Sequence, residues 1–306
     1  MTRHIQTKTE ITVLLDAAGL KPQRRLGQNF LIDGNLMNRL LDAAELTPSD
    51  IVLEIGPGTG SLTDHLVTST RHVVAIEFDR GLHQIVAARF ASAANLTLIH
   101  GDVLETKNRI NPHVDDAMRA ALDPRPGSCA LVSNLPYQVA TPLLVNLLLA
   151  PYRMDRFCFT VQREVAERLT ASPATRDYGP VSVVVQSVCD IERIASLPPH
   201  VFWPRPAVDS TMLRVRRRSD ALPDSTTPTD PLPLAAFAAI IRSLFAHRRK
   251  TIRFSIAHAF GDAVCEAVST DFDLAARPER LDVPQWIALA NRLHALAPPD
   301  PPSPPS

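Results

Sequence analysis

Short apolar runs alternate with amphipathic stretches through the first two-thirds of the chain. Ile51-Val52-Leu53-Glu54-Ile55 is apolar except for Glu54, the pattern of a strand covered on both faces. Similar runs at 73–77, 96–100 and 129–133 predict three more strands. Between them, helical spacing predicts helices over 61–70 and 80–93, with earlier helices at 11–19, closed by Gly19, and 36–44. Further on, 141–150 reads as a helix, 156–161 as a strand and 212–215 as the last strand; 179–189 fits either helix or strand. Buried strands alternating with helices predict an α/β fold with a parallel sheet.

The pattern changes after residue 216. Residues 217–233 carry Ser, Asp, Thr and prolines with little apolar content, which predicts a linker or a long surface loop. Helical spacing returns over 234–260 and 284–296, and the tail 297–306 is too proline-rich to pack. The expected organisation is an N-terminal helix or arm (1–20), an α/β catalytic domain (21–216), the linker (217–233), a helical domain (234–296) and the tail (297–306).

Composition narrows the class. The 306 residues are 45% hydrophobic, enough for a sizeable core, and the formal net charge is zero with pI ≈ 7.2. A nucleic-acid partner would have to be met by local basic patches. Cys129, Cys158, Cys189 and Cys265 are widely spaced, without a C-x-x-C pair, and no histidine has metal-ligand spacing. No signal peptide is expected at Met1, and the apolar run at 143–150 is too short to span a bilayer. The reading is a soluble, cytoplasmic protein with no metal.

Two segments carry chemistry. Glu54-Ile55-Gly56-Pro57-Gly58-Thr59-Gly60 follows the first buried strand as G-x-G-x-G, without the lysine of a phosphate-clamping loop. Glycines let the backbone approach a ligand closely, and a ligand without phosphates, such as S-adenosylmethionine, suits Gly56 and Gly58. Glu77 ends the second strand, where a carboxylate receives ribose hydroxyls; Asp102 follows the third, where it can accept from an adenine amine. The plainer alternative is a tight strand–helix turn with two solvated acids.

Asn134-Leu135-Pro136-Tyr137 follows the fourth strand. The exocyclic amine of adenine is a poor nucleophile because its lone pair is delocalised into the ring. The Asn134 side-chain oxygen and the Leu135 carbonyl can accept from that amine. Pro136 limits the backbone, and Tyr137 can stack on the base. Together the segments point to methyl transfer onto a base nitrogen, against the alternative of ordinary Asn-x-Pro turn chemistry.

These residues resemble the ribosomal RNA adenine dimethylases, over about residues 24–256. The resemblance rests on Leu26-Gly27-Gln28-Asn29-Phe30-Leu31, the glycine loop, and Asn134-Leu135-Pro136-Tyr137 with Thr141-Pro142-Leu143. It continues through Gln162-Arg163-Glu164-Val165, Tyr178-Gly179, Phe202-x-Pro204-x-Pro206-x-Val208-Asp209-Ser210 and Arg248-Arg249-Lys250-Thr251-Ile252-Arg253. It implies a Rossmann-like, seven-stranded, S-adenosylmethionine-dependent methyltransferase fold, with its last strand antiparallel and a small all-helical C-terminal domain. It further implies cofactor contacts at Asn29, Leu31, Gly56, Glu77, Asp102 and Asn134. The implied reaction is N6-dimethylation of two adjacent adenines near the 3′ end of small-subunit rRNA, by a monomer acting on a pre-ribosomal particle. Phe202 reads equally as a second wall for the base or as a proline-braced core aromatic. The chain departs from the family at Gln138-Val139-Ala140, Ala246-His247 and Phe254, which bears on substrate contacts more than on the reaction.

Three basic clusters fit an RNA partner: Lys21, Arg24 and Arg25; Arg214, Arg216, Arg217 and Arg218; and Arg242, Arg248, Arg249, Lys250 and Arg253. A large-subunit methylase of the same chemistry fits less well, because Leu135 and the neutral charge differ from its usual pattern. A non-catalytic ribosome-assembly checkpoint is the alternative from another class.

Overall fold

The computed structural model describes residues 4–123, 127–136, 139–219 and 232–296, with the Arg24 side chain also outside the description. A seven-stranded sheet forms the centre. Its strands are β1 (Ile51–Ile55), β2 (His72–Glu77), β3 (Leu96–His100), β4 (Cys129–Asn134), β5 (Arg156–Gln162), β6 (Cys189–Leu197) and β7 (Ser210–Arg217), in spatial order β3-β2-β1-β4-β5-β7-β6. Strands β1 to β5 pair in parallel, and β7 runs antiparallel to β5, with Ser210 opposite Gln162. The seven-stranded α/β architecture and its antiparallel last strand are therefore as expected.

Helices α1 (Lys8–Ala17) and α2 (Gly34–Ala44) precede the sheet. Helices α3 (Ser61–Ser69), α4 (Arg80–Arg89), α5 (Pro112–Leu122) and α6 (Ala140–Leu148) connect its first five strands. Helices α7 (Arg163–Leu169) and α8 (Pro180–Val188) lie between β5 and β6, and α9 (Leu234–Phe245), α10 (Ile252–Phe260), α11 (Asp262–Val268) and α12 (Val283–Leu296) follow the sheet. All of β1 is buried, because helices cover both faces of a parallel sheet. Leu40 and Leu41 of α2, Val52, Ala75 and Val132 share one apolar cluster that seats the strands. The four cysteines are free and buried.

Two compact units divide the chain. One comprises residues 1–166 and 191–217, and the other 167–190 and 218–306. The second is largely helical. Its α9 buries Phe237, Ile241 and Leu244, while α12 buries Trp286, Leu289 and Leu293. The expected linker core, 220–231, and the tail 297–306 lie outside the described residues.

Several local expectations shift. The ambiguous 179–189 segment is a helix followed by a strand. Pro180 sits in the first turn of α8, the Gly179 N–H donates to Ser182 Oγ at 3.0 Å, and these start signals override the β-branched valines. The 234–260 run splits because the Thr251 hydroxyl caps a new helix, accepting from the Phe254 N–H at 3.4 Å. A small hairpin (Leu104–Thr106 with Arg109–Ile110) and α5, capped by Asn111, occupy the stretch where no element was expected. The 80–93 helix ends earlier, at Arg89.

Candidate active site

The strand order reverses between β1 and β4, and ligands of open α/β sheets bind outside the carboxyl strand ends at such a point. A cavity of about 270 Å³ lies there, lined by Asn29, Leu31, Gly56, Gly58, Glu77, Asp102, Asn134, Leu135 and Pro136. All the residues expected to meet the cofactor thus converge on one cavity with three of the four expected at the base.

The glycine loop is held in a shape that needs glycine. Gly58 has φ +63°, and a Cβ there would stand 2.9 Å from Phe30 Cε1; Gly60, at φ +82°, would place one 2.6 Å from Phe90 Cε2. The N-terminal arm braces the loop from outside. Gln6 is 4% exposed, donates to the Thr59 carbonyl and accepts from the Thr59 hydroxyl at 2.6 Å. Across the cavity, a Cβ on Gly56 would meet Pro136 Cγ at 3.6 Å, so the glycine loop and the β4 loop face each other.

Glu77 is buried, and its carboxylate accepts from the Gly58 N–H at 3.1 Å and the Asp79 N–H at 2.9 Å. The end of β2 is thereby tied to the glycine loop. Burial pushes the Glu77 carboxyl up to about 7 against the opposing pull of those donors. Glu54 behind it is also buried, accepts from the Thr63 hydroxyl at 2.7 Å, and is pushed up to about 8, again by burial. Asp102 is exposed at the rim and accepts from the Leu104 N–H at 3.0 Å.

The charge of this lining tests the fit of the cofactor. Glu77, Asp79 and Asp102 contribute acidic groups, Glu54 is held protonated by its burial, and Arg25 is the one basic residue among the described lining. That balance opposes a polyphosphate and suits a ligand carrying a sulfonium and an ammonium group. The residues fit S-adenosylmethionine.

Asn134 ends β4. Its Nδ2 donates to the Asn29 carbonyl at 2.8 Å, and its Oδ1 accepts from the hydroxyl of Thr160, its register partner on β5. The Asn29 side chain donates in turn to the Gly27 carbonyl at 3.0 Å. Leu31 is buried in the short strand Phe30–Leu31, which pairs antiparallel with Phe202–Trp203.

The remaining predicted residues are placed differently. Tyr137 lies outside the described residues, as does the Arg24 side chain. Arg25 is exposed on the cavity rim and donates to Gln23 Oε1. Phe202 does not open onto a base site. It is 3% exposed within the apolar cluster of Leu31, Leu197 and Val201, the placement of the core-aromatic alternative. Arg248, Arg249 and Lys250 belong to the helical unit, in the turn between α9 and α10.

Sequence reasoning missed three contributors. Phe78 lines the cavity yet is 56% exposed, an apolar wall whose signal was its place directly after Glu77. Asp79 caps α4 through the Gly81 and Leu82 N–H groups and accepts from Gln23 and Gln28, tethering the polar segment at 21–31. Thr160 left no local signal. Among the described residues no His/Cys/Asp/Glu group has metal-binding geometry, and no helix is long and apolar enough to cross a membrane.

Comparison with known proteins agrees with this geometry. The family profile of ribosomal RNA adenine dimethylase matches residues 19–295. Ribosomal RNA small subunit methyltransferase A of Listeria monocytogenes serotype 4a is 34% identical over 300 residues, covering 96% of this chain and 98% of that protein. The protein of the same name from a Geobacillus species is 34% identical over 304 residues, covering 97% and 100%. Among solved structures, a dimethyladenosine transferase from Plasmodium falciparum matches with TM-score 0.64 at 21% identity, over 87% of this chain and 96% of that one; it bears on the fold. The 23S rRNA methyltransferase ErmE matches with TM-score 0.59 at 25% identity, over 87% and 99%. With a matching family profile over most of its length and full-length relatives above 30% identity, the chain belongs to the ribosomal RNA adenine dimethylases.

Proposed function

We propose that this enzyme transfers methyl groups from S-adenosylmethionine to N6 of two adjacent adenines near the 3′ end of small-subunit rRNA. In this reading it acts as a cytoplasmic monomer on a pre-ribosomal particle. The catalytic residues lie in the unit of 1–166 and 191–217, and residues 234–296 of the helical unit contact the rRNA. The small-subunit assignment draws on the relatives named for that subunit, which align end to end with this chain.

One observation carries the chemistry: the Asn134 amide is clamped from two sides at the edge of the cavity that the glycine loop also lines. When bound, S-adenosylmethionine supplies an electrophilic methyl group on a sulfonium. Glu77 holds the ribose hydroxyls, Phe78 and Asp102 take the cofactor adenine, and Gly56 and Gly58 allow close backbone approach. Asn29 and Leu31 close the near side. The second lone pair of Asn134 Oδ1, with the Leu135 carbonyl, accepts from the target amine and favours its pyramidal form. Pro136 fixes that carbonyl, and Tyr137 stacks on the base, which must leave its own stack to enter. The alkylated amine is acidic enough to lose its proton to water. Catalysis is chiefly the positioning of two reactants.

The test is mass spectrometry of rRNA from unmethylated small-subunit particles after incubation with protein and cofactor. Two adjacent N6-dimethyladenines are expected. Methyl groups found on large-subunit RNA alone would overturn the assignment.

A further inference from the structure

The helical unit carries an exposed aromatic ledge that the base cavity does not use. Phe254 and His258 fall four residues apart on α10 and so share one face of the helix, while Lys250 precedes the helix in the α9–α10 turn. The Phe254 and His258 rings lie parallel, 6° between planes with centroids 6.0 Å apart, and Lys250 Nζ stands 5.7 Å from the Phe254 centroid. His247 meets both rings edge-on, at 5.3 and 4.6 Å. Phe254 is 43% exposed, whereas Ile252 and Ile256 on the opposite face are fully buried. The helix start is pinned independently of the rings: the Ile252 N–H donates to the Ala276 carbonyl at 2.8 Å and the Arg253 N–H to the Leu274 carbonyl at 3.0 Å. The rings are thus not what folds this turn.

Charge identifies the occupant. Lys250 stands over the ledge, Arg249 and Arg253 neighbour it in the chain, and from Arg242 to Gly261 the sequence contains no acid; Arg253 Nη1 also pairs with the exposed Glu266 Oε2 at 3.7 Å. A flat π surface edged by cations, with phosphate-length side chains on the same turn, matches an unstacked nucleotide strand. A duplex offers its phosphates but hides its base faces.

We propose that Phe254 and His258, buttressed by His247, form a stacking platform for unpaired bases of the RNA, with Arg249, Lys250 and Arg253 holding the adjoining phosphates. This inference rests on RNA being the substrate and is independent of which rRNA is methylated. It is also independent of Asn134.

The test compares binding of the full-length protein to a labelled single-stranded RNA oligonucleotide and to the same sequence as a duplex, by fluorescence anisotropy. Phe254→Ala should weaken single-strand binding about tenfold, within the range of one base–aromatic stack, with a smaller effect on the duplex. Phe254→Trp should restore it, and Phe254→Leu should not, since leucine keeps apolar area without a π face. His258→Ala should act in the same direction. Lys250→Ala should lower the salt slope of single-strand binding by about 0.7. Cofactor affinity and melting temperature should be those of the parent in every variant. Single-strand affinity unchanged by Phe254→Ala, or rescue by leucine equal to that by tryptophan, would overturn the proposal; the latter would indicate an apolar protein partner. Either outcome leaves the base-cavity assignment standing, because methylation of particles through Asn134 is read separately.

Discussion

The Thr160 hydroxyl donates to Asn134 Oδ1 from the adjacent strand, directly across the β4–β5 register. The Asn29 carbonyl can only accept, so it fixes Nδ2 on its own side and leaves Oδ1 toward Thr160 and the cavity. An amide held at both ends loses little freedom when it accepts from a target amine. The two partners come from segments far apart in sequence, one leading into the N-terminal strand and one in the sheet.

Removing the Thr160 hydroxyl should therefore lower turnover without touching the cofactor. Thr160→Val should reduce kcat about three- to tenfold, the equivalent of one net hydrogen bond, while Thr160→Ser retains activity. Cofactor Kd by calorimetry should be unchanged in both. Equal kcat for parent and valine variant would remove Thr160 from this role.

Asn134 itself should matter far more. Asn134→Ala is expected to cut single-turnover methyl transfer by about 10²–10³-fold, the usual cost of losing a transition-state hydrogen-bond partner. Cofactor affinity should change much less. Transfer at the parental rate would refute the assigned role.

Glu77 should make cofactor binding pH-dependent. Burial raises its carboxyl from the ordinary 4.5 to about 7, and ribose hydroxyls donate best to the ionised form. Binding then displaces a proton, so affinity should rise as pH increases toward about 7 and level off above it. Glu77→Gln should bind more weakly at high pH and lose the dependence. Fold stability runs the opposite way. The raised carboxyl contributes stability that is fully present below 4.5 and is lost as pH rises through about 7. A glutamine variant that keeps the parental pH profile of binding would rule out Glu77 as its source.

The glycine loop offers a stability test. Gly58→Ala should cost about 1–3 kcal/mol, since φ +63° is strained for alanine and the new Cβ would crowd Phe30. Gly19 supplies the control, with φ +67° and nothing within 4 Å of an added Cβ. Urea denaturation of Gly19→Ala measures backbone strain alone, and the excess for Gly58→Ala measures the Phe30 contact. An equal cost at both positions would show that Phe30 simply yields.

The sequence by itself determined the sheet-forming runs, the glycine loop, Glu77 and the Asn134-Leu135-Pro136 segment. Each is written in contiguous residues whose local chemistry is sufficient: apolar continuity for a buried strand, glycine for positive φ, an acid at a strand end. Tertiary structure decided what depends on partners distant in the chain. Phe202 became a core residue because its strand pairs with Phe30–Leu31. The valine-rich 180–188 segment, whose local sequence left helix and strand both open, is seated as a helix by burial of Val183, Val184 and Val185 and by the Ser182 hydroxyl donating to the Arg168 carbonyl at 2.6 Å. Thr160 came to orient Asn134 only because parallel register sets the two opposite each other. Hydrogen-bond partners and burial are properties of the packed chain, and no window along the sequence contains both sides of them.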